Sequence, residues 1–363
     1  IRSGANLLYN DNWANELFQP SLRAETHIGL SSNTEKTSTY LSFGYLDDGG
    51  YALQSDFSRV TTRFSVDHRV NKYLEIGSNI NYAQTQQNAP LQNVATNTYS
   101  NLFSWARNVA PIYPVYGRDE AGDFILDANG DKVWDFGTNT DNIPGVRPYG
   151  AFNNPVATSL NDIDNNSRDN LSGRFYARFN LTDKLTFTYN LSADYVGSNI
   201  TEYATPIGGD ASNVNGRLTS TSTRANTIAN QQLLNYKTGA NGHTFNVLLG
   251  HESNDYVFTS LSAQKTEALI GDIPFLNNAT NIQYATGFRN TYAVEGYFSS
   301  VNYSKDEKYF VNASLRRDGS SVFAKDVRWG TFYGIGAAWD VTKEDFLNPG
   351  VFLSSLRLKT SYG

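Results

Sequence analysis

From Asn170 to Tyr195 apolar and polar residues alternate with period two on either side of a short polar turn. Leu171, Phe175, Ala177, Phe179 and Leu181 fall on one face of the first arm; Ser172, Arg174, Tyr176, Arg178 and Asn180 fall on the other. After Thr182–Asp183–Lys184 the return arm sets Leu185, Phe187, Tyr189, Leu191 and Ala193 against Thr186, Thr188, Asn190, Ser192 and Asp194. Successive side chains of a strand point to opposite faces, so this pattern predicts a β-hairpin. Each arm runs for about twelve residues, against about 5–6 in ordinary soluble strands. One apolar and one charged face over that length suits a tilted strand crossing a bilayer around water.

The same reading extends along the chain. About twelve strands are expected, over 21–32, 37–46, 58–70, 73–84, 169–182, 184–197, 217–236, 242–253, 288–304, 308–318, 329–341 and 353–362. The third repeats the alternation, with Val60, Thr62, Phe64 and Val66 opposite Arg59, Thr61, Arg63, Ser65 and Asp67. The eleventh places Trp329 and Trp339 at the two ends of an apolar face, as an interfacial aromatic girdle does. Short connections (33–36, 70–73, 182–184, 237–241, 304–307) alternate with longer ones (47–57, 85–168, 197–216, 254–287, 318–328). An up-and-down barrel with tight turns at one end and long loops at the other has this rhythm; Greek-key sandwiches have no cause for it. The expected fold is therefore all-β, a transmembrane antiparallel barrel wall with one long extracellular insert at 85–168.

Composition sharpens this expectation. The 363 residues are 39% hydrophobic and 13% aromatic, with 23 Tyr and 21 Phe. Mean hydropathy is −0.46. No apolar run approaches the roughly 18–20 residues of a membrane-spanning helix, which leaves strands as the means of crossing. Cysteine is absent, which excludes disulfides and thiolate chemistry. A net charge of −6 argues against a nucleic-acid surface. The chain opens on Ile1 with no basic and apolar leader and reads as a mature or truncated piece.

No catalytic constellation stands out, and none of the usual hydrolase, zinc-protease or phosphate-loop motifs occurs. His27, His68, His243 and His251 are scattered and read as polar or interfacial strand positions. Seven carboxylates crowd 118–142. Asp127-Ala-Asn-Gly-Asp131 departs from a calcium loop in its glycine position and lacks the closing Glu, so a type I′ turn is expected there, with loop-bound calcium the alternative. A small hairpin over 123–135 and a short helix over 97–108 are expected within the insert. Asn180, Asn190, Asn302 and Asn312 match glycosylation sequons by chance, since all lie in expected strands. The candidate ligand-binding residues are the loop aromatics Trp105, Tyr113, Tyr116 and Trp134 and the inward-facing Arg174 and Arg178. Arg59, Arg63, Asp67, Glu75, Asn79 and Asp194 complete the polar lining, which serves either a solute path or a plug. The loop aromatics can stack on sugars or grip a peptide, or form the packing of the loop itself.

Gly296-Tyr-Phe-Ser-Ser-Val-Asn-Tyr303, Lys308-Tyr-Phe-Val-Asn-Ala-Ser-Leu-Arg-Arg-Asp-Gly-Ser-Ser321, Arg328-Trp-Gly-Thr-Phe332 and Leu356-Arg-Leu-Lys-Thr-Ser-Tyr-Gly363 together resemble the barrel signature of the SusC/RagA family of TonB-linked outer-membrane transporters. Asn12–Trp13, Glu16–Phe18, Ser38–Tyr40, Gly44–Tyr45 and Gly49–Tyr51 resemble the start of that barrel. The resemblance implies a segment of a barrel of about 22 strands closed around a plug, with the plug and TonB box outside this chain. It also implies active import of oligosaccharides or peptides, without a cofactor. The implied partners are a SusD-like lipoprotein and the TonB–ExbB–ExbD complex. A passive porin-like barrel and a soluble, secreted all-β glycan-binding protein are the alternatives to that function.

Overall fold

The computed structural model describes the backbone of residues 2–3 and 6–7 and all of residues 10–90, 101–119, 121–138, 146–148, 150–271, 273–346 and 354–363. Twelve strands form one antiparallel sheet in which every strand pairs with its neighbours in sequence. They are β1 (Arg23–Asn33), β2 (Thr37–Gly49), β3 (Asp56–Arg69), β4 (Leu74–Asn88), β5 (Ile163–Asn180) and β6 (Leu185–Ala204), then β7 (Arg217–Ala240), β8 (His243–Ala268), β9 (Ala279–Lys305), β10 (Tyr309–Ser320), β11 (Trp329–Asp340) and β12 (Arg357–Tyr362). Arg2–Ser3 and Asn6–Leu7 form a separate two-stranded ladder. Among the described residues no helix is long and apolar enough to cross a membrane.

The two faces of the sheet differ as the alternation requires. Phe175 stands opposite Leu191, and Phe179 opposite Phe187, their rings 6.1 Å apart. The register carries the apolar face sideways through Ile28 and Phe43, Leu41 and Phe64, and Phe64 and Ile80. All of these but half-buried Phe187 remain exposed, as does Leu171, which like Phe175 is 43% exposed. A face of that kind has no partner among the described residues and matches a bilayer. Trp329 opens β11 and approaches the Tyr297 ring at 6.2 Å. Near the other end, Trp339 Nε1 and the Tyr309 hydroxyl both donate to Glu344, at 2.9 and 2.5 Å. The aromatic girdle expected of β11 therefore has neighbours at both ends.

The strands outrun their sequence signal at the long-loop end. β8 continues to Ala268 rather than ending at 253, and β9 starts at Ala279 rather than 288. The expected loop over 254–287 shrinks to 269–278, that over 197–216 to 205–216, and the insert to 89–162. Where both faces meet water, the apolar half of the alternation disappears while the hydrogen-bonded ladder continues. The alternation of short and long connections fails once: 341–356, at the tight-turn end, is long and opens with a 3-10 turn over Val341–Lys343.

The larger buried core lies not in the sheet but where the insert packs on the segment before β1; a smaller one, of Tyr203, Leu218, Ala268 and Ala279, closes the long-loop ends of β6 to β9. Helices α1 (Trp13–Leu17), α2 (Leu102–Asn108) and α3 (Pro155–Asn161) enclose Trp13, Leu17, Leu102, Trp105, Val109, Val115 and Val156. The helix expected over 97–108 begins at Leu102, with 97–100 outside the described residues; the Asn101 side chain accepts from Ser104 N and caps it.

Candidate functional site

The polar face of the sheet carries Arg59, Arg63, Asp67, Glu75, Asn79, Arg174, Arg178 and Asp194, the lining residues expected from the alternation. Near the tight turns Arg178 pairs with Glu75 at 3.1 Å. The Tyr176 hydroxyl lies 2.6 Å from Asp67 and 3.0 Å from Glu75. Tyr176 reaches Asp67 across Gly77, where a Cβ would stand 2.2 Å from the Tyr176 ring.

Farther along the face, Arg174 donates to Asn190 Oδ1 at 2.8 Å, and Asn190 donates to Gln231 at 3.1 Å. Gln231 donates to Glu252 at 3.3 Å. Glu252 also receives Arg316, which holds Asp318 through Nε at 2.7 and 2.8 Å. Arg316 reaches over Gly296, where a Cβ would sit 2.5 Å from Asp318 Oδ1 and 3.1 Å from Arg316 Nη2. Two hollows in the wall meet at Arg174, Asn190 and Gln231. Of this hydrogen-bonded series only Arg174 is among the candidates that the sequence points to. An isolated glycine in a strand signals a close approach, so Gly77 and Gly296 are the marks by which the rest was readable.

The other four candidates lie in the loop module. Trp105 is 0% exposed and packs edge-on against Trp13 at 5.4 Å, with the Arg147 guanidinium 5.1 Å from its ring centroid. Trp105 is therefore a core residue with no open ring face, because α1 and α2 close over it. Tyr113 contributes its carbonyl to Trp13 Nε1 at 2.9 Å. Tyr116 and Trp134 are half-buried and stack on each other at 4.7 Å. Lys132 lies 4.9 Å from the Tyr116 ring and 4.0 Å from that of Phe124, whose other neighbour is Arg118 at 4.1 Å. Loop aromatics and wall arginines thus occupy two separate places.

The module is tied together by polar groups as well as by its core. Asp11 pairs with Arg118 at 3.1 Å and accepts from Val115 N at 2.9 Å. Fully buried Asn154 caps α3 and donates to the carbonyls of Val115 and Asp135. Burial pushes the Asp135 carboxyl up and the Arg147 guanidinium down from their usual values. Arg147 Nη2 donates there to the carbonyls of Gly150, at 2.9 Å, and Asn153. Beyond the module Asp162 accepts from Thr205 N at 2.7 Å; burial, and secondarily Asp210, push its carboxyl up to about 7.

The hairpin expected over 123–135 is the second half of a three-armed meander. Asp119-Glu-Ala-Gly-Asp123 and Asp127-Ala-Asn-Gly-Asp131 repeat at a spacing of eight residues. In each, the first Asp accepts from two backbone N–H groups, at 2.8–2.9 Å, and the glycine takes positive φ. Asn129 is not left-handed, so the turn is a three-residue loop ending in Gly130 and not the type I′ turn expected. A glycine in the third loop position alone selects this geometry. Among the described residues no three carboxylate or histidine side chains converge as a metal site.

Of the four histidines, His251 lies on the apolar face, with Nδ1 2.6 Å from Gln232 Oε1 and Nε2 3.1 Å from Glu295 Oε1. His68 meets Thr37 and His243 meets Tyr303, at 2.7 and 2.9 Å. Asn180, Asn190, Asn302 and Asn312 all lie inside strands.

No family model matches the chain. TonB-dependent receptor P39 of Formosa agariphila is 24% identical over 352 residues, covering 95% of this chain and 30% of that protein. TonB-dependent receptor SusC of Bacteroides thetaiotaomicron is 24% identical over 367 residues, covering 98% of this chain and 34% of its own length. Among solved structures, the RagAB peptide transporter superposes with a TM-score of 0.74 at 20% identity, over 97% of this chain and 38% of that one. The chain is similar to the barrel of SusC/RagA-type TonB-dependent receptors. It spans about a third of the length of the curated relatives it matches. The ferric citrate transporter FecA shares the fold more distantly, with a TM-score of 0.50 over 88% of the chain.

The SusC/RagA likeness fixes the meaning of the two faces. The sheet is part of the wall of an outer-membrane barrel; its apolar face meets lipid and its polar face lines the lumen. The Arg316-Arg-Asp-Gly-Ser-Ser321 motif divides between them. Arg316 and Asp318 point inward to Glu252, while Arg317 lies outward with its guanidinium 5.6 Å from the Trp329 ring.

Proposed function

We propose that the chain is the wall segment of a TonB-dependent importer that takes up oligosaccharides or peptides. The observation that carries this reading is a one-directional wall of twelve strands, lipid-facing on one side and lined with charge on the other, that follows the RagAB transporter over 97% of its length. Tight turns lie on the periplasmic side. The long connections, with the packed module of α1, α2 and α3, lie outside the cell, where Tyr116, Trp134 and their cationic neighbours meet cargo or a SusD-like lipoprotein lid. Cargo then passes Arg174 and Arg178 on the inner wall when TonB, powered by ExbB–ExbD, displaces a plug. The curated relatives are named as receptors and the matched structures as transporters, which supports import without covalent change to the cargo.

The test is uptake by cells producing the full-length receptor, offered maltodextrins and casein peptides side by side, with and without TonB. Uptake of either pool that disappears without TonB is expected. Uptake that persists without TonB would make the barrel a passive pore.

A further inference from the structure

One inward-facing row of the sheet is polar through eight consecutive strands. Asp67 is the Cα partner of Gly77, Gly77 of Tyr176, Tyr176 of Asn190 and Asn190 of Gln231. The row continues from Gln231 to Glu252, then Gly296, then Asp318. The two positions without side chains are the two that neighbouring side chains cross: Tyr176 passes Gly77 to Asp67, and Arg316 passes Gly296 to Glu252.

Strand stagger turns this row into a slope. Asp67 lies two residues from Arg69, at the tight-turn end of β3. Asn190 lies five residues from Leu185, and Glu252 and Asp318 each lie nine residues from the tight-turn ends of β8 and β10. The climb of seven residues is about 23 Å along the strands, at about 3.3 Å per residue. Steps between strands are about 4.8 Å.

Along the slope four carboxylates (Asp67, Glu75, Glu252 and Asp318) stand with three guanidiniums (Arg174, Arg178 and Arg316). Arg178 faces Glu75, Tyr176 faces Asp67, and Arg316 lies between Glu252 and Asp318. Between those clusters stand the amides of Asn190 and Gln231, with Arg174 bound to Asn190. An amide has two donor hydrogens and two acceptor lone pairs; each of these two uses one of each along the row, so half-buried Gln231, beside buried Asn190, keeps one donor and one acceptor to offer. Such a surface offers mixed donors and acceptors with little net charge.

We infer that this row is a ramp for a neutral, hydroxyl-bearing solute, which exchanges one set of hydrogen bonds for the next as it moves along the lumen wall between the extracellular and periplasmic ends. The inference rests on the import reading above. Peptides, with charged termini, gain less from a wall whose charges nearly balance.

The test uses the full-length receptor in cells, with maltohexaose and hexa-alanine as probes and a large, normally excluded antibiotic as a reporter of leakage. The variant is Asn190→Leu with Gln231→Leu; Asn190→Ala alone is the milder form. Ser300→Leu, inward on β9 but two inward positions below the row, is the control. Surface amount and heat-resistant migration are measured for each. Maximal uptake of maltohexaose is expected to fall about tenfold in the double variant, with the half-saturating concentration and antibiotic resistance unchanged. Unchanged maltohexaose uptake would overturn the ramp, as would equal loss with Ser300→Leu. Slowing of hexa-alanine alone would assign the row to peptides and overturn the solute class. Antibiotic leakage would show that the row seats the plug instead. If wild-type cells take up neither probe, the import reading fails for both classes and the ramp falls with it.

Discussion

Arg316 on β10 bonds to Glu252 on β8, two strands away, by passing over Gly296 of the strand between them. The contact exists because position 296 has no side chain. Gly296→Ala would place a methyl group 2.5 Å from Asp318 Oδ1. Loss of the bridge is expected to lower barrel stability by about 1–2 kcal/mol. The unfolding midpoint from heat-dependent gel migration of the full-length receptor checks this; an unchanged midpoint would mean that Arg316 has another route.

Phe187 lies on the lipid face opposite Phe179, whereas its neighbour Thr188 points into the lumen opposite Arg178. Phe187→Asp is expected to impair assembly, since a carboxylate on the lipid face costs up to about 2 kcal/mol. Thr188→Asp is expected to assemble normally. Protease resistance in intact cells distinguishes the two, and equal assembly would contradict the facing.

Trp105 is a packing residue of the loop module, so its removal should act through stability. Trp105→Ala is expected to cost the module about 3–5 kcal/mol. Limited proteolysis should then cut within 101–161 while the barrel keeps its heat-resistant migration. Intact loops in that variant would be incompatible with the buried position. Trp134→Ala, half-buried, should have the smaller effect on cleavage.

Asp162 gives the loops a pH dependence with a definite sign. Its carboxyl titrates near 7 in the folded protein and near about 3.9 in the unfolded chain. The folded state therefore holds the extra proton between those values, and local stability falls as pH rises from about 4 to 7. Amide exchange at Thr205, corrected for its intrinsic rate, should show less protection at pH 8 than at pH 5.5. Asp162→Asn should flatten that difference.

How much of this was readable depends on which solvent each residue meets. The wall strands, their tight turns and the facing of Phe175, Phe179, Phe187 and Leu191 follow from period-two alternation, because lipid and lumen impose opposite chemistry. The upper parts of β8 and β9 carry no such contrast, and a strand wet on both faces resembles a loop in sequence. The inward position of Arg174 and Arg178 was legible, but their partners were not: Asn190 and Glu75 are set by register across strands, to which local sequence is blind. For Trp105 stacking on cargo and packing within the loop stayed open alternatives, because the helices that bury it come from segments almost ninety residues apart.

The repeated Asp-x-x-Gly-Asp turns suggest how this loop can change length. Each eight-residue unit carries its own reversal: a carboxylate that ties two amides and a glycine free to turn left-handed. Inserting one unit would leave the chain heading away from Asp135 and the core beneath it. Inserting two would return it to the same point. Growth or trimming in pairs of units thus alters how far the meander reaches from the module without disturbing the Trp13–Trp105 contact on which the module rests.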